Sequence, residues 1–289
     1  MTDSGAGTTS ATPYVANVYF EGWDYRVPVP DDVRAQHNLD HVDPWLRLLC
    51  ILERAKEGDL THGPRLAALC NAEDTDLRFA AQYLLAHVGT TDDLRVLQGD
   101  ISTAGGDWRM ETADHAALSG SLTFVDTFIA GYRIAFGETT RGAMEDGLSN
   151  LLTTDPDSRF VADCLHAQDR EAGEDRLRER ARQQAINFGP GVALYRGSPL
   201  TIAAVTEDID ETLTGEPWES FAHLQSLVTR LQTMIGFSQS GLFTEADDGL
   251  AHKWDEPRIR EIIDHARSLT FESGLRHFWG HPAPLQPPA

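Results

Sequence analysis

The sequence predicts an all-α protein, an α-solenoid-like stack of helical hairpins followed by a C-terminal helical region. Three observations predict it. First, one phrase recurs: Asp76-Leu-Arg-Phe-Ala-Ala-Gln-Tyr-Leu84 is echoed by Asp157-Ser-Arg-Phe-Val-Ala-Asp-Cys-Leu165 and, more loosely, by Ser121-Leu-Thr-Phe-Val-Asp-Thr-Phe-Ile129. The shared Phe falls at 79, 124 and 160, at intervals of 45 and 36 residues. Periods of this size belong to arrays in which a unit that cannot bury its apolar face alone stacks on its neighbours. Second, apolar residues recur at helical rather than alternating spacing. Third, helix-starting and helix-stopping residues bracket those stretches.

Taken in order, Tyr14 to Val29 alternates aromatic and polar residues and reads as a short hairpin or an extended arm. Asp43-Pro44 then starts a helix whose Trp45, Leu48, Leu49 and Leu52 share one buried face. In the best-defined unit, Leu66 and Leu69 lie on a first helix and Asp74-Thr-Asp-Leu-Arg78 forms the turn. Leu77, Ala80, Ala81, Leu84, Leu85 and Val88 make the buried stripe of a second helix, with the alanines allowing close backbone approach. Ala86 falls off that stripe and is expected to be more loosely packed than Ala81. Asp74 or Thr75 can cap the helix, and Gly89 is expected to end it in the left-handed conformation. Thr91-Asp92-Asp93-Leu94 opens the next helix.

On these residues Leu66 to Leu97 resembles a HEAT-type repeat, which implies antiparallel helix pairs stacked into a solenoid. Gly105-Gly106 reads as a flexible joint, and helices are expected around 111–119, 122–136, 139–152 and 157–168. From 169 to 187 alternating arginines and acids predict a solvated, ion-paired helix. Phe188-Gly-Pro-Gly191 interrupts any helix and marks a domain boundary. Beyond it Phe221, Leu224, Val228, Leu231 and Ile235 form a heptad-like seam for an internal helix pair, and Asp255-Glu-Pro257 starts a last helix. The resulting division is 1–30, a partly disordered N-terminal arm; 31–187, HEAT-like repeats; and 188–289, a C-terminal helical region.

The 45 acidic and 24 basic residues give a net charge of −21, spread as −10 over residues 1–144 and −11 over the rest. Such a field repels nucleic acid and anionic membranes and attracts basic surfaces. Cys50, Cys70 and Cys164 are widely spaced within apolar patterns, so core thiols are expected instead of disulfides. The N-terminus lacks the pattern of a signal peptide and no run is long enough to span a membrane, so a cytoplasmic protein is expected.

No phosphate loop, GxGxxG or HExxH motif occurs, and no cofactor is expected. Gly236-Phe-Ser-Gln-Ser-Gly241 approximates a nucleophile elbow, but a helical seam stands where the elbow needs a strand. The pairs Asp31-Asp32, Asp92-Asp93 and Asp247-Asp248 suit helix starts better than metal sites. His252, His265, His277 and His281 are weak metal candidates without a closed ligand set. The densest one-sign patch is Glu207, Asp208, Asp210, Glu211, Glu216 and Glu219, with no Lys or Arg between 197 and 229; Trp218 and Phe221 could anchor a partner there. These acids are expected to be solvated.

The sequence therefore points to a non-enzymatic acidic binding protein that docks a basic protein partner. An acidic HEAT-like protein is similar, in fold type and charge, to the immunity proteins that bacteria pair with secreted toxins, which implies a toxin domain as partner. The alternative is an enzyme with a small-molecule site in the cleft between the two helical halves.

Overall fold

The computed structural model describes residues 38–286 except 104, 155–156, 215–216, 238–240 and 246–251, without the side chains of 107, 217–220, 222, 244–245 and 252. The N-terminal arm, Asp31-Asp32 and Asp247-Asp248 lie outside the described residues.

Twelve helices carry the described chain: α1 Pro44–Lys56, α2 Gly63–Leu69, α3 Thr75–Val88, α4 Arg95–Thr103, α5 Gly106–Leu118, α6 Val125–Ile134, α7 Glu138–Leu152, α8 Phe160–Leu165, α9 Arg170–Phe188, α10 Ile202–Leu213, α11 Pro217–Ile235 and α12 Glu256–Ser268. Three antiparallel hairpins join them: β1 Leu194–Tyr195 with β2 Ser198–Pro199, β3 Phe243–Glu245 with β4 His252–Trp254, and β5 Arg276–Phe278 with β6 His281–Ala283. The chain is mostly helical, as expected; the hairpins are an addition.

The start signals act as read. Asp43 caps α1 through Trp45 N–H with Pro at its first turn, Asp74 caps α3 through the N–H groups of Asp76 and Leu77, and Asp255 caps α12 through Arg258. Gly89 differs: it ends α3 in extended backbone, φ −69° and ψ 145°, because the chain leaves directly toward the C-terminal tail. The joint at Gly105-Gly106 is instead the start of α5.

The α3 stripe is buried, and so are Gln82, Ala86 and His87. The expectation of a looser Ala86 is therefore corrected: it is wholly inaccessible. A lone helix pair leaves its second face to solvent, whereas here α5 and the β5–β6 hairpin cover that face of α3. All three cysteines are buried and free.

The α11 seam packs inward against α10, with Leu224, Val228 and Leu231 buried. One continuous apolar core contains residues on both sides of the turn at 188–191, from Leu48 to Leu285. The hairpin β5–β6 ties α3 to α11. Its Trp279 and Gly280 N–H groups bond to the Thr233 and Met234 carbonyls at the end of α11, and the tail is pinned where Thr91 N–H donates to Leu285 O at 2.7 Å. Buried Arg276 donates to the carbonyls of Ala86 at 2.6 Å, Gly89 at 2.5 Å and Pro284 at 3.4 Å, and so caps the C-terminal end of α3. Among the described residues no helix is long and apolar enough to cross a membrane.

Candidate functional site

A cleft of about 680 Å³ opens where α5 and α7 face α10, α11 and the β1–β2 hairpin. Its walls follow helical arithmetic. Asp114, Ala117 and Leu118 come from one face of α5; Asp146, Ser149, Asn150 and Thr153 come from α7 and the residue after it; His223, Ser226, Leu227 and Arg230 come from α11. Each set follows the spacing of residues that share a helix face. On α11 this cleft face lies beside the buried seam, so one helix serves core and cavity at once.

The hairpin supplies Tyr195 and Arg196. Its two-residue turn puts Arg196 at φ 47° and Gly197 at φ 63°, the pair of positive angles that a type I′ turn demands. Gly197 fits because a Cβ there would lie 2.5 Å from the Thr153 carbonyl oxygen. Arginine in the left-handed region is uncommon and costs conformational energy. The surroundings fix it: Gly197 N–H donates to Asn150 O at 3.0 Å, Gln184 Nε2 donates to Gly197 O at 2.9 Å, and Leu194 N–H donates to Gly120 O at 2.8 Å.

Asp208, Tyr195 and Arg230 form the buried floor, with Asp208 only 3% exposed. The Tyr195 hydroxyl donates to Asp208 Oδ2, and Arg196 Nη1 lies 2.6 Å from Asp208 Oδ1. Burial pushes the Asp208 carboxyl above its usual range, opposed by Tyr195 and Arg196. Arg230 lays its guanidinium over the Tyr195 ring, 4.7 Å from the centroid, and donates through Nη2 to Leu118 O at 3.3 Å. It makes no ion pair with a described carboxylate. Asp114 and Asp146 stand on the opposite wall, exposed to the cleft. Enclosure by the walls, then Asp146, then Glu111 push the Asp114 carboxyl up to about 7. A carboxyl poised there can take or give a proton near neutral pH, the property that acid–base chemistry on a bound molecule would use.

The acidic patch on α10 divides. Asp208 turns into the cleft floor, which corrects the expectation that it is solvated: it lies three residues from Val205 and next to Ile209, on the edge of the buried stripe. Asp210 pairs with Arg267 at 2.6 Å and Arg260 at 3.3 Å, both from α12. Glu211 is exposed, 3.7 Å from Arg196, and Glu207 is exposed. The bases missing from the local sequence thus arrive from elsewhere in the fold. Glu216 and the side chains of Trp218 and Glu219 lie outside the described residues, and Phe221 stacks edge-on against Phe243.

Among the described side chains, His265, His277 and His281 are not brought together. His265 packs on Phe237 and His277 on Phe271, with His277 Nδ1 donating to Leu275 O at 3.1 Å; His281 lies against Gly58. The His252 side chain lies outside the described residues, and among those described no three His, Cys, Asp or Glu are grouped to hold a metal ion.

Sequence reasoning missed Asp114, Asp146, Tyr195, His223 and Arg230. The available signal was the polar face at helical spacing, Asp146-Ser149-Asn150-Thr153 and His223-Ser226-Arg230. Compared with known proteins, the chain matches no family and no curated protein.

Proposed function

We propose that the protein binds a small polar molecule in the cleft between its two helical halves, on a scaffold of stacked hairpins of the HEAT type. One observation carries this reading: Arg230, 4% exposed, lines the cavity with a single hydrogen bond and no described carboxylate paired to it. Buried charges are ordinarily paired and saturated with hydrogen bonds, so a guanidinium left this way beside open volume suits a ligand. The left-handed Arg196, held at the same cavity, supports it. The test is equilibrium dialysis of the purified protein against a small-molecule extract of the source cells, with mass spectrometry of what is retained. Ser226 is exposed on the cleft wall, so Ser226→Trp should fill the cavity without disturbing the core. Retention of a compound by the native chain and its loss in S226W is the expected result; equal retention by both, or none by either, would refute the site.

A second reading, docking of a basic protein partner such as a toxin domain, draws on the net charge of −21 and the exposed Glu207 and Glu211. Glu207→Lys with Glu211→Lys should slow association with such a partner, and the loss should shrink at high salt as screening removes long-range steering. An association rate indifferent to both changes would remove the patch from the mechanism.

A further inference from the structure

The two ends of the cleft differ in charge. At one end Arg230 and the Tyr195 ring form a cationic floor. The nearest acid, Asp208, is already engaged by the Tyr195 hydroxyl and by Arg196 at 2.6 Å. At the other end Asp114 and Asp146, from α5 and α7, face the same space, and the charges acting on Asp114 are the like charges Asp146 and Glu111. Those acting on Arg230 are Tyr195, Tyr83 and Asp208. The two acids stand on α5 and α7, whereas Arg230 stands on α11 and Tyr195 on the β1–β2 hairpin, so the poles come from different walls of the cleft. The same cleft is lined by His223, Ser149 and Ser226, which add hydrogen-bonding groups.

Each pole lacks what the other carries. A carboxylate seated on Arg230 would gain charge-assisted hydrogen bonds from N–H groups not used within the fold. An ammonium between Asp114 and Asp146 would answer two like charges that, after burial, raise the Asp114 carboxyl. An anion alone would meet the acids on its way in, and a cation alone would leave the guanidinium unanswered. Resting on the cleft reading above, we infer that the ligand is a dipolar small molecule, an amino acid or ω-amino acid in class, with its anionic group at Arg230 and its amine at Asp114 and Asp146.

The probes are ω-amino acids of increasing length, from glycine to 8-aminooctanoate, each beside the alkylamine and the alkanoate of equal carbon number, titrated into the unmodified chain by calorimetry. At least one amino acid should bind ten-fold or more tightly than both of its singly charged analogues. Arg230→Gln should reduce it to the affinity of the amine, and Asp114→Asn with Asp146→Asn to that of the alkanoate. An amine or an alkanoate that binds as tightly as the amino acid, or a series in which nothing binds, overturns the dipolar assignment. The series is read on the unmodified chain, so it decides even if R230Q fails to fold. Its failure is separable from that of the cleft itself: a retained compound of another charge type, lost in S226W, leaves the cleft standing, whereas no retained compound removes both.

Discussion

Two arginines of the C-terminal half grip the C-terminal ends of two N-terminal helices, and the contrast between them separates a structural joint from a candidate site. Arg276, 2% exposed, gives three hydrogen bonds, to carbonyls at and beyond the end of α3 and to Pro284. Arg230, 4% exposed, gives one, to the last carbonyl of α5, and lines a cavity. Burial pulls the Arg276 guanidinium down to about 9, which leaves it charged at neutral pH, with the Asp93 carboxylate and the helix-end carbonyls as its counter-charge. The same economy of partners does not extend to Arg230. Arg276 leaves only its Nε without a partner, and a third buried charge is likewise multiply engaged: Glu174, 2% exposed, receives Arg133, Arg170 and Arg178 together.

The largest expected effect breaks the structural joint. Arg276→Met strands three carbonyls and unlatches the tail, so urea denaturation should register a loss of about 3 to 5 kcal/mol. A loss under about 1 kcal/mol would mean that the latch is ornamental.

Acid should strain both joints next. His87 lies between them: its proton affinity is held well below the usual value by burial, then by Arg230, Arg276 and His115. Burial alone lowers His115 to about 4. Both are neutral in the folded chain, and the unfolded chain takes up protons first, near pH 6.5. Their contribution is therefore complete above about pH 6.5 and is lost as pH falls toward 4; for His115 it is on the order of 3 kcal/mol. Unfolding midpoints of the native chain and His115→Gln, compared from pH 7.5 to 4.5, should converge as pH falls. Parallel curves would contradict the assignment.

Packing around the α3 joint offers a smaller test. Ala81 and Ala86 are both wholly buried, on opposite faces of the helix whose end Arg276 caps. Ala81→Leu and Ala86→Leu should each cost about 1 to 3 kcal/mol by overpacking. A mild A86L beside a damaging A81L would show that the second face is loosely covered. Smallest of all, Arg230→Met should change stability by no more than about 1 kcal/mol, because one lost hydrogen bond is offset by relief from burying a poorly paired ion. A loss equal to that of R276M would make the two arginines alike and remove the contrast.

Much of the helical array was legible because its signals are local. Asp43-Pro44, Asp74 and Asp255 each act on amides within three residues, and the stripe 77–88 needs only helical spacing to be recognised. The second face of α3 was not legible, since Ala86, Gln82 and His87 are buried by α5 and by a hairpin nearly two hundred residues away. The site was least visible. The acids of α10 looked like one solvated face, yet Asp208 joins Tyr195 and Arg196 in the floor, and Asp210 finds Arg260 and Arg267 on α12.

The sequence by itself determined the helical class, the capped starts and the inward seam of α11, because these depend on periodicity and on side chains reaching their own backbone. Tertiary structure alone decided which charges are answered and which are left facing space. Pairing between ions depends on distance and burial, and helices distant in sequence set both when they pack. Asp114, Asp146 and Arg230 carry no special spacing relative to one another; the packing of α5, α7 and α11 around one cavity puts them at its walls and floor.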